Sequence, residues 1–302
     1  MAENASIQGW TLLRMIQWSS DYLATRGFEN SRLLSERLLA HVLELRRVDL
    51  YLQFDRPLTP AELAHYKQLF LRLVAHEPLQ YLLGETEFMS LPFAVGPGVL
   101  IPRPETELLV EKALERARAV AAREGMVRII DLGTGTGCIA VSLAKNVPEA
   151  SLVAVDLSAA ALEWAERNSA AHGVSSRVEL VEHDFRNSPL SAWRGGFDLA
   201  VSNPPYIRSG DWAGLAAEIR DHEPREALHG GEDGLDAYRS LAQMLPMLLK
   251  TGGEALIEFG DGMSAAVVAI FKQAGFAGAE FFRDLAGRER LVHLFSPGGD
   301  HE

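Results

Sequence analysis

Four consecutive residues, Asn203-Pro204-Pro205-Tyr206, offer an unusual set of groups for chemistry. They directly follow Phe197–Ser202, which reads as a buried strand, and open α/β sheets bind their ligands at the carboxyl ends of strands. Two successive prolines fix two φ angles and remove two N–H donors. The carbonyls of Asn203 and Pro204 can then face a ligand without a competing donor. The Asn203 side-chain oxygen adds a further acceptor, and Tyr206 adds a flat face. Acceptors beside an aromatic ring suit a planar group carrying an NH2, so Asn203, Pro204 and Tyr206 are the expected catalytic contacts. The plainer alternative is a strand ending in a Pro-Pro turn, with Tyr206 as packing.

A second constellation lies upstream. Gly133-Thr134-Gly135-Thr136-Gly137 follows Asp131-Leu132 and precedes a helical stretch from Cys138. Alternate glycines let the backbone turn tightly and approach a ligand, and the helix N-terminus beyond attracts an anionic group. Asp156 ends the next strand, where a carboxylate can accept both hydroxyls of a ribose. Gly135–Ala140 formally satisfies G-x-G-x-x-A, which leaves a dinucleotide open. Asp131 would repel a pyrophosphate but suits an ammonium, which favours S-adenosylmethionine, whose demethylated product is S-adenosylhomocysteine. In His183-Asp184-Phe185, Asp184 can accept from an adenine amine and Phe185 can stack on its ring. The expected cofactor set is therefore Gly133, Thr134, Gly135, Thr136, Gly137, Asp156, Asp184, Phe185 and Asn203.

These groups need a scaffold, and the pattern supplies one. Strands are expected at Val127–Leu132, Ser151–Asp156, Val178–Glu182, Phe197–Ser202, Glu254–Phe259, Ala279–Arg283 and Arg290–Phe295. Helices between them include Cys138–Lys145, Ser158–His172 and Met263–Ala274. This alternation predicts an α/β fold with a doubly wound, mostly parallel seven-stranded sheet. Only a short turn separates the last two strands, so that pair must be antiparallel. Ahead of the sheet, Thr86–Met89 and Phe93–Val95 read as a hairpin turning at Ser90-Leu91-Pro92. The stretch Gly96–Pro104 forms an ordered connector, and Pro104 opens a helix to about Ala122. Arg103 and Glu105 at that helix start either face the site or pair with each other.

Residues 1 to about 85 read as a helical unit. Leu12, Met15, Ile16 and Leu23 line one helix, and Leu34, Leu38 and Leu45 a second, opened by Asn30 or Ser31. Thr59-Pro60-Ala61-Glu62 is a capping box for another. Its isolated histidines, His41, His65 and His76, read as surface or packing residues. The segment from Ile207 to about Asp236 is long enough to suggest a task of its own.

Composition narrows the possibilities. The chain has 302 residues, 47% hydrophobic and 23% charged, ordinary for a globular protein with a full core. Cys138 is the only cysteine, which rules out an intrachain disulfide and a multi-cysteine metal site; no metal is expected. No apolar run reaches the roughly 18 residues of a membrane span, and Met1–Ser6 lacks the features of a signal peptide. A cytoplasmic location follows as an expectation. The net charge is −12, and residues 1–85 are nearly balanced, so the excess negative charge lies beyond them. Direct nucleic-acid binding is not expected without a basic footprint.

With both motifs placed, the chain resembles the PrmC/HemK family of release-factor glutamine N5-methyltransferases over nearly its whole length. The marks are Glu77–Tyr81, Ile101–Thr106, Asp131–Gly137, Asn203–Tyr206, Glu223–Leu228, Gly230–Leu235 and Gly287–Arg290. The resemblance implies a class I, Rossmann-like methyltransferase domain over 104–302, a hairpin and connector over 86–103, and a helical bundle over 1–85 that docks the release factor. It implies methyl transfer from S-adenosylmethionine to the side-chain amide of the glutamine in the Gly-Gly-Gln motif of class I release factors. Asn203, Pro204, Pro205 and Tyr206 would hold that glutamine, with Arg103 and Glu105 as further substrate contacts, in an enzyme acting as a monomer. Met89-Ser90 departs from the family's aromatic–glycine pair, and His222 stands where an aromatic is common. Asn-Pro-Pro-Tyr is shared with adenine-N6 DNA and RNA methyltransferases, which are the alternative. A nucleotide-binding oxidoreductase or a non-catalytic module would leave that motif without a duty.

Overall fold

The computed structural model describes residues 9–186 and 193–295; the start Met1–Ser6 lies outside them. The chain divides into two compact units, Met1–Gly84 and Glu85–Glu302.

The first unit holds α1 (Leu12–Thr25), α2 (Ser31–Val42), α3 (Arg47–Leu52), α4 (Pro60–Val74) and α5 (Leu79–Leu83). Leu12, Leu23, Leu38, Leu39, Leu50, Tyr66 and Phe70 form its core. The expected capping box opens α4: the Glu62 N–H donates to Thr59 Oγ1 and the Thr59 N–H to Glu62 Oε2. The cap of α2 differs. Asn30 occupies the cap position in left-handed backbone and its side chain makes no capping bond. Leu45 lies beyond that helix, and the short α3 and α5 have too few turns to show a period. His76 stacks on Phe28 at 4.6 Å, while His41 and His65 are exposed.

The second unit begins with the hairpin β1 (Glu85–Phe88) and β2 (Leu91–Ala94). The turn is Met89-Ser90, one step earlier than the sequence suggests, with φ of 51° and 57°. Two positive φ angles match the right-handed twist of a two-residue hairpin, and glycine meets that demand more easily than methionine or serine. A short turn, Pro104–Thr106, leads into α6 (Glu107–Glu124). Then follow β3 (Val127–Leu132), α7 (Cys138–Asn146), β4 (Ala150–Asp156), α8 (Ala159–Ala171), β5 (Val178–Glu182) and β6 (Phe197–Ser202). After α9 (Ala217–His222) come α10 (Asp236–Leu248), β7 (Leu249–Glu258), α11 (Ser264–Gln273), β8 (Gly278–Arg283) and β9 (Glu289–Phe295).

The seven strands lie in the order β5-β4-β3-β6-β7-β9-β8. The first five are parallel; β9 runs antiparallel to both neighbours. Side chains alternate between two apolar layers, as a pleated strand requires. Ile129, Leu199 and Leu256 face α6 and α7, whereas Ile130, Ala200 and Ile257 face α10 and α11. Strand β7 starts five residues before the sequence expectation because its pairing with β6 jumps from Phe197↔Leu249 to Leu199↔Glu254. Helix α10 has no counterpart in the sequence reading; it buries one face through Tyr238, Leu241 and Leu245 and carries Pro246 on its exposed side. No helix among the described residues is long and apolar enough to cross a membrane.

Candidate active site

The crevice forms where the strand order reverses, between β3 and its neighbours β4 and β6, the switch point at which doubly wound sheets bind ligands. The turn after β3 is tied down by its own backbone. The N–H groups of Gly133 and Thr134 donate to the Val155 carbonyl at 2.8 and 2.9 Å. Gly133, Gly135 and Gly137 have φ of 81°, 55° and 77°, so all three need left-handed backbone. A Cβ at Gly137 would lie 3.1 Å from the Ala165 Cβ, which makes this glycine a packing contact with α8.

Two carboxylates flank the turn. Asp156 Oδ2 accepts the Gly135 N–H at 2.8 Å and Oδ1 accepts the Ser158 N–H at 3.0 Å. Each oxygen keeps a lone pair for a ligand. Burial raises the Asp156 pKa against the pull of these N–H donors. Asp131 is fully buried behind the turn. Thr134 Oγ1 donates to its Oδ2 at 2.7 Å, and Oδ1 has no hydrogen-bond partner among the described residues. Burial pushes Asp131 up to about 7. An orphaned carboxylate oxygen in a dry place calls for a cationic or donor partner.

The opening beside this turn is a cavity of about 330 Å³, the size of a small ligand pocket. Its wall takes Gly133 to Thr136, Asp156, Phe185, Asn203, Pro205 and Arg103 from the sequence-derived set. Gly137, Asp184, Glu105, Pro204 and Tyr206 are not on that wall. Gly137 is spent against α8, Asp184 holds the Arg186 N–H and guanidinium, and Glu105 is exposed. Tyr206 lies against Gly260, where an added Cβ would come within 2.9 Å of its ring, and packs on the core under α10 and α11.

Asn203 sits just past β6, which is fastened to β3 by Ser202 Oγ donating to the Leu132 carbonyl at 2.6 Å. Asn203 Nδ2 donates to Thr106 Oγ1 at 3.0 Å, leaving Oδ1 without that commitment. Arg103 pairs with neither Glu105 nor an open surface. It reaches Glu223 at 2.5 Å, and the other Glu223 oxygen accepts the Ile101 N–H at 3.2 Å.

The sequence reading assigned no place in the site to Val99 and Leu100 of the connector or to Pro224, Glu226 and Ala227 of the long segment, all on the wall. The signal for them was the pair of Pro-Arg and Glu-Pro-Arg stretches, whose meeting nothing in a linear sequence states. The glycines after it have a mechanical reason. The Ile207 N–H donates to the Leu228 carbonyl and the Gly230 N–H to the Ile207 carbonyl, so this strip lies along the backbone that follows Pro205. A Cβ on Gly230 would meet the Pro205 oxygen and the Tyr206 Cα at 2.8 Å.

Carboxylate acceptors, an amide acceptor and apolar walls around one cavity suit a nucleoside-bearing ligand with an amine brought beside it. Comparisons with known proteins agree with such a fold. Residues 14–84 match the PrmC N-terminal domain, and residues 105–232 match the methyltransferase small domain. A release factor glutamine methyltransferase of Geobacter sulfurreducens is 46% identical over 94% of this chain and 96% of its own length. Its counterpart in Chlorobaculum tepidum is 41% identical over 91% and 94%. Among solved structures, a methyltransferase from Pyrococcus furiosus shares the fold at a TM-score of 0.51, with 16% identity over 69% of this chain and 90% of that one.

Proposed function

Because the chain belongs to the release factor glutamine methyltransferase family, we propose that it methylates the Gly-Gly-Gln glutamine of class I release factors on its side-chain nitrogen, with S-adenosylmethionine as donor. The observation that carries this reading is Asn203: an amide at the end of β6, on the cavity wall, with its NH2 already engaged and its oxygen left to accept.

The residues present fit the donor. The turn Gly133–Thr136 offers close backbone approach, Asp156 keeps acceptor capacity for ribose hydroxyls, and Phe185 gives a ring for adenine. Asp131 lies behind the turn and off the cavity wall, so it acts on the ammonium of a methionine moiety through its charge and not by direct contact. Bound S-adenosylmethionine supplies a methyl group on a sulfonium that leaves readily.

The chain's own task is the nucleophile. An amide nitrogen is held back by conjugation of the order of the ~18–20 kcal/mol peptide rotation barrier. Acceptors that grip both N–H bonds favour the pyramidal nitrogen as positive charge develops on it. A hydrogen bond in a dry site is worth about 4–6 kcal/mol gross, so two offset part of that barrier. Asn203 Oδ1 supplies one, and a main-chain oxygen of the Asn203–Pro205 stretch, where Pro204 and Pro205 bring no N–H, supplies the other. Fixing the nitrogen in line with the methyl contributes another ~7–11 kcal/mol. Tyr206 supports this corner from below through its contact with Gly260.

The helical unit is the proposed docking element for the release factor, and the enzyme is proposed to act as a cytoplasmic monomer. Mass spectrometry of a class I release factor after incubation with the protein and S-adenosylmethionine tests the function. One added methyl on the Gly-Gly-Gln peptide is the expected result. Methylated DNA with an unmodified release factor would replace this reading by the adenine-N6 one.

A further inference from the structure

Thr106 stands at the N-cap position of α6, where a threonine hydroxyl ordinarily accepts a backbone N–H of the first turn. Here it makes no capping bond. It is 2% exposed and receives the Asn203 Nδ2 instead. Behind it lies Glu258, the last residue of β7, 4% exposed and without an ion pair among the described residues. The Glu258 carboxyl lies near enough to the Thr106 side chain to feel its dipole, and its Oε2 has no hydrogen-bond partner among the described residues. A buried carboxyl so placed needs a reason, and the reading of Asn203 as the amine acceptor provides one.

We infer that Thr106 and Glu258 are positioning residues: a hydrogen-bond chain from the Asn203 amide through the Thr106 hydroxyl to the Glu258 carboxylate holds Asn203 Oδ1 toward the cavity. The direction follows from donor and acceptor capacity. A carboxylate only accepts, so the single Thr106 proton must go to Glu258. Thr106 Oγ1 can then only accept, and only the NH2 end of Asn203 can donate to it. The amide is thereby prevented from turning its NH2 toward the substrate, where two NH2 groups would oppose each other. Were Glu258 protonated, it could donate to Thr106, and the threonine proton would be released to bond the Asn203 oxygen in the flipped orientation.

This inference rests on Asn203 as the acceptor, and four variants separate the two. They are assayed as full-length protein with a release factor, with kcat and KM for the release factor and calorimetric Kd for S-adenosylmethionine. Thr106→Val keeps the shape and loses the hydroxyl; kcat falls about tenfold or more, as for loss of an oriented dipole, with the cofactor Kd within about twofold. Thr106→Ser restores kcat. Glu258→Gln lowers kcat in a pH-dependent way. Burial pushes Glu258 up to about 7 against the pull of the Thr106 side chain; Glu105 raises it further while Arg290 and Arg103 draw it down, and Tyr206, Tyr238 and Cys138 also feel its charge. The wild-type to Glu258→Gln ratio of kcat therefore climbs as pH rises through about 7. Taking the ratio removes the contribution of Asp131, which titrates in the same range. Wild-type kcat in Thr106→Val, or no rescue by Thr106→Ser, overturns the positioning chain if Asn203→Ala is inactive. Turnover retained in Asn203→Ala overturns the reading beneath it.

Discussion

Arg103 and Glu223, 120 residues apart in sequence, are joined by a 2.5 Å hydrogen-bonded ion pair, and the Glu223 side chain is 1% exposed. The same carboxylate holds the Ile101 N–H, so one buried group ties the connector to the Glu-Pro-Arg stretch, both of which wall the cavity. Glu223→Gln should cost about 1.5–3 kcal/mol, the range for a hydrogen bond to a charged group. The urea midpoint of the variant measures this, and an unchanged midpoint would remove the clasp from the account.

Asp156 has two jobs, since its oxygens hold the Gly135 and Ser158 N–H groups and face the cavity. Asp156→Ala is expected to weaken S-adenosylmethionine binding about ten- to a hundredfold, the equivalent of about 1.5–3 kcal/mol. Calorimetry reads the change directly; equal affinities would reject the ribose assignment.

Gly230 is pressed between the Pro205 carbonyl, the Tyr206 Cα and the Gly234 carbonyl, all backbone atoms within 2.9 Å of a would-be Cβ. Backbone yields less readily than side-chain ends, so Gly230→Ala should destabilise by about 1–3 kcal/mol and displace the chain after Asn203. A thermal melt and a turnover assay are expected to fall together. Gly210→Ala, where a Cβ meets nothing within 4 Å, is the matched control.

Glu254, buried on the interior strand β7, is bonded by Arg116 at 2.7 Å and by His293 at 2.9 Å. Burial alone would raise its pKa, but these partners bring it down to about 2. A depressed carboxylate contributes stability above its unfolded value of 4.5 and loses it as pH falls toward about 2. Wild type should therefore lose stability relative to Glu254→Gln across that window. Parallel stability–pH curves for the two proteins would contradict the linkage.

Several features were legible without coordinates because short-range physics decides them. The strands Val127–Leu132, Val178–Glu182 and Phe197–Ser202 have the bounds read from their apolar runs, and the Thr59–Glu62 box caps its helix through neighbours three residues apart. The antiparallel final pair followed from chain length alone, since a turn that short cannot carry a crossover. The turn Gly133–Thr136, Asp156 and Asn203 were legible as candidates from their places at strand ends, and all of them line the one cavity described.

What remained was decided by contacts between distant segments. Pro246 is tolerated in α10 because it lies on the exposed side of the last turn while Tyr238, Leu241 and Leu245 bury the opposite face, a tertiary gain that outweighs a local breaker. Nothing near Arg103 names Glu223, and nothing near Asn203 names Thr106; the first pair joins residues 120 apart and the second residues 97 apart. Tyr206 belongs to the same motif as Asn203, yet its ring packs on Gly260 while Asn203 reaches the cavity wall. Residue types and spacing thus determined which chemistry this chain can carry. The folded packing alone determined which atoms of each motif face the ligand, because direction is a property of three-dimensional neighbours and is absent from linear order.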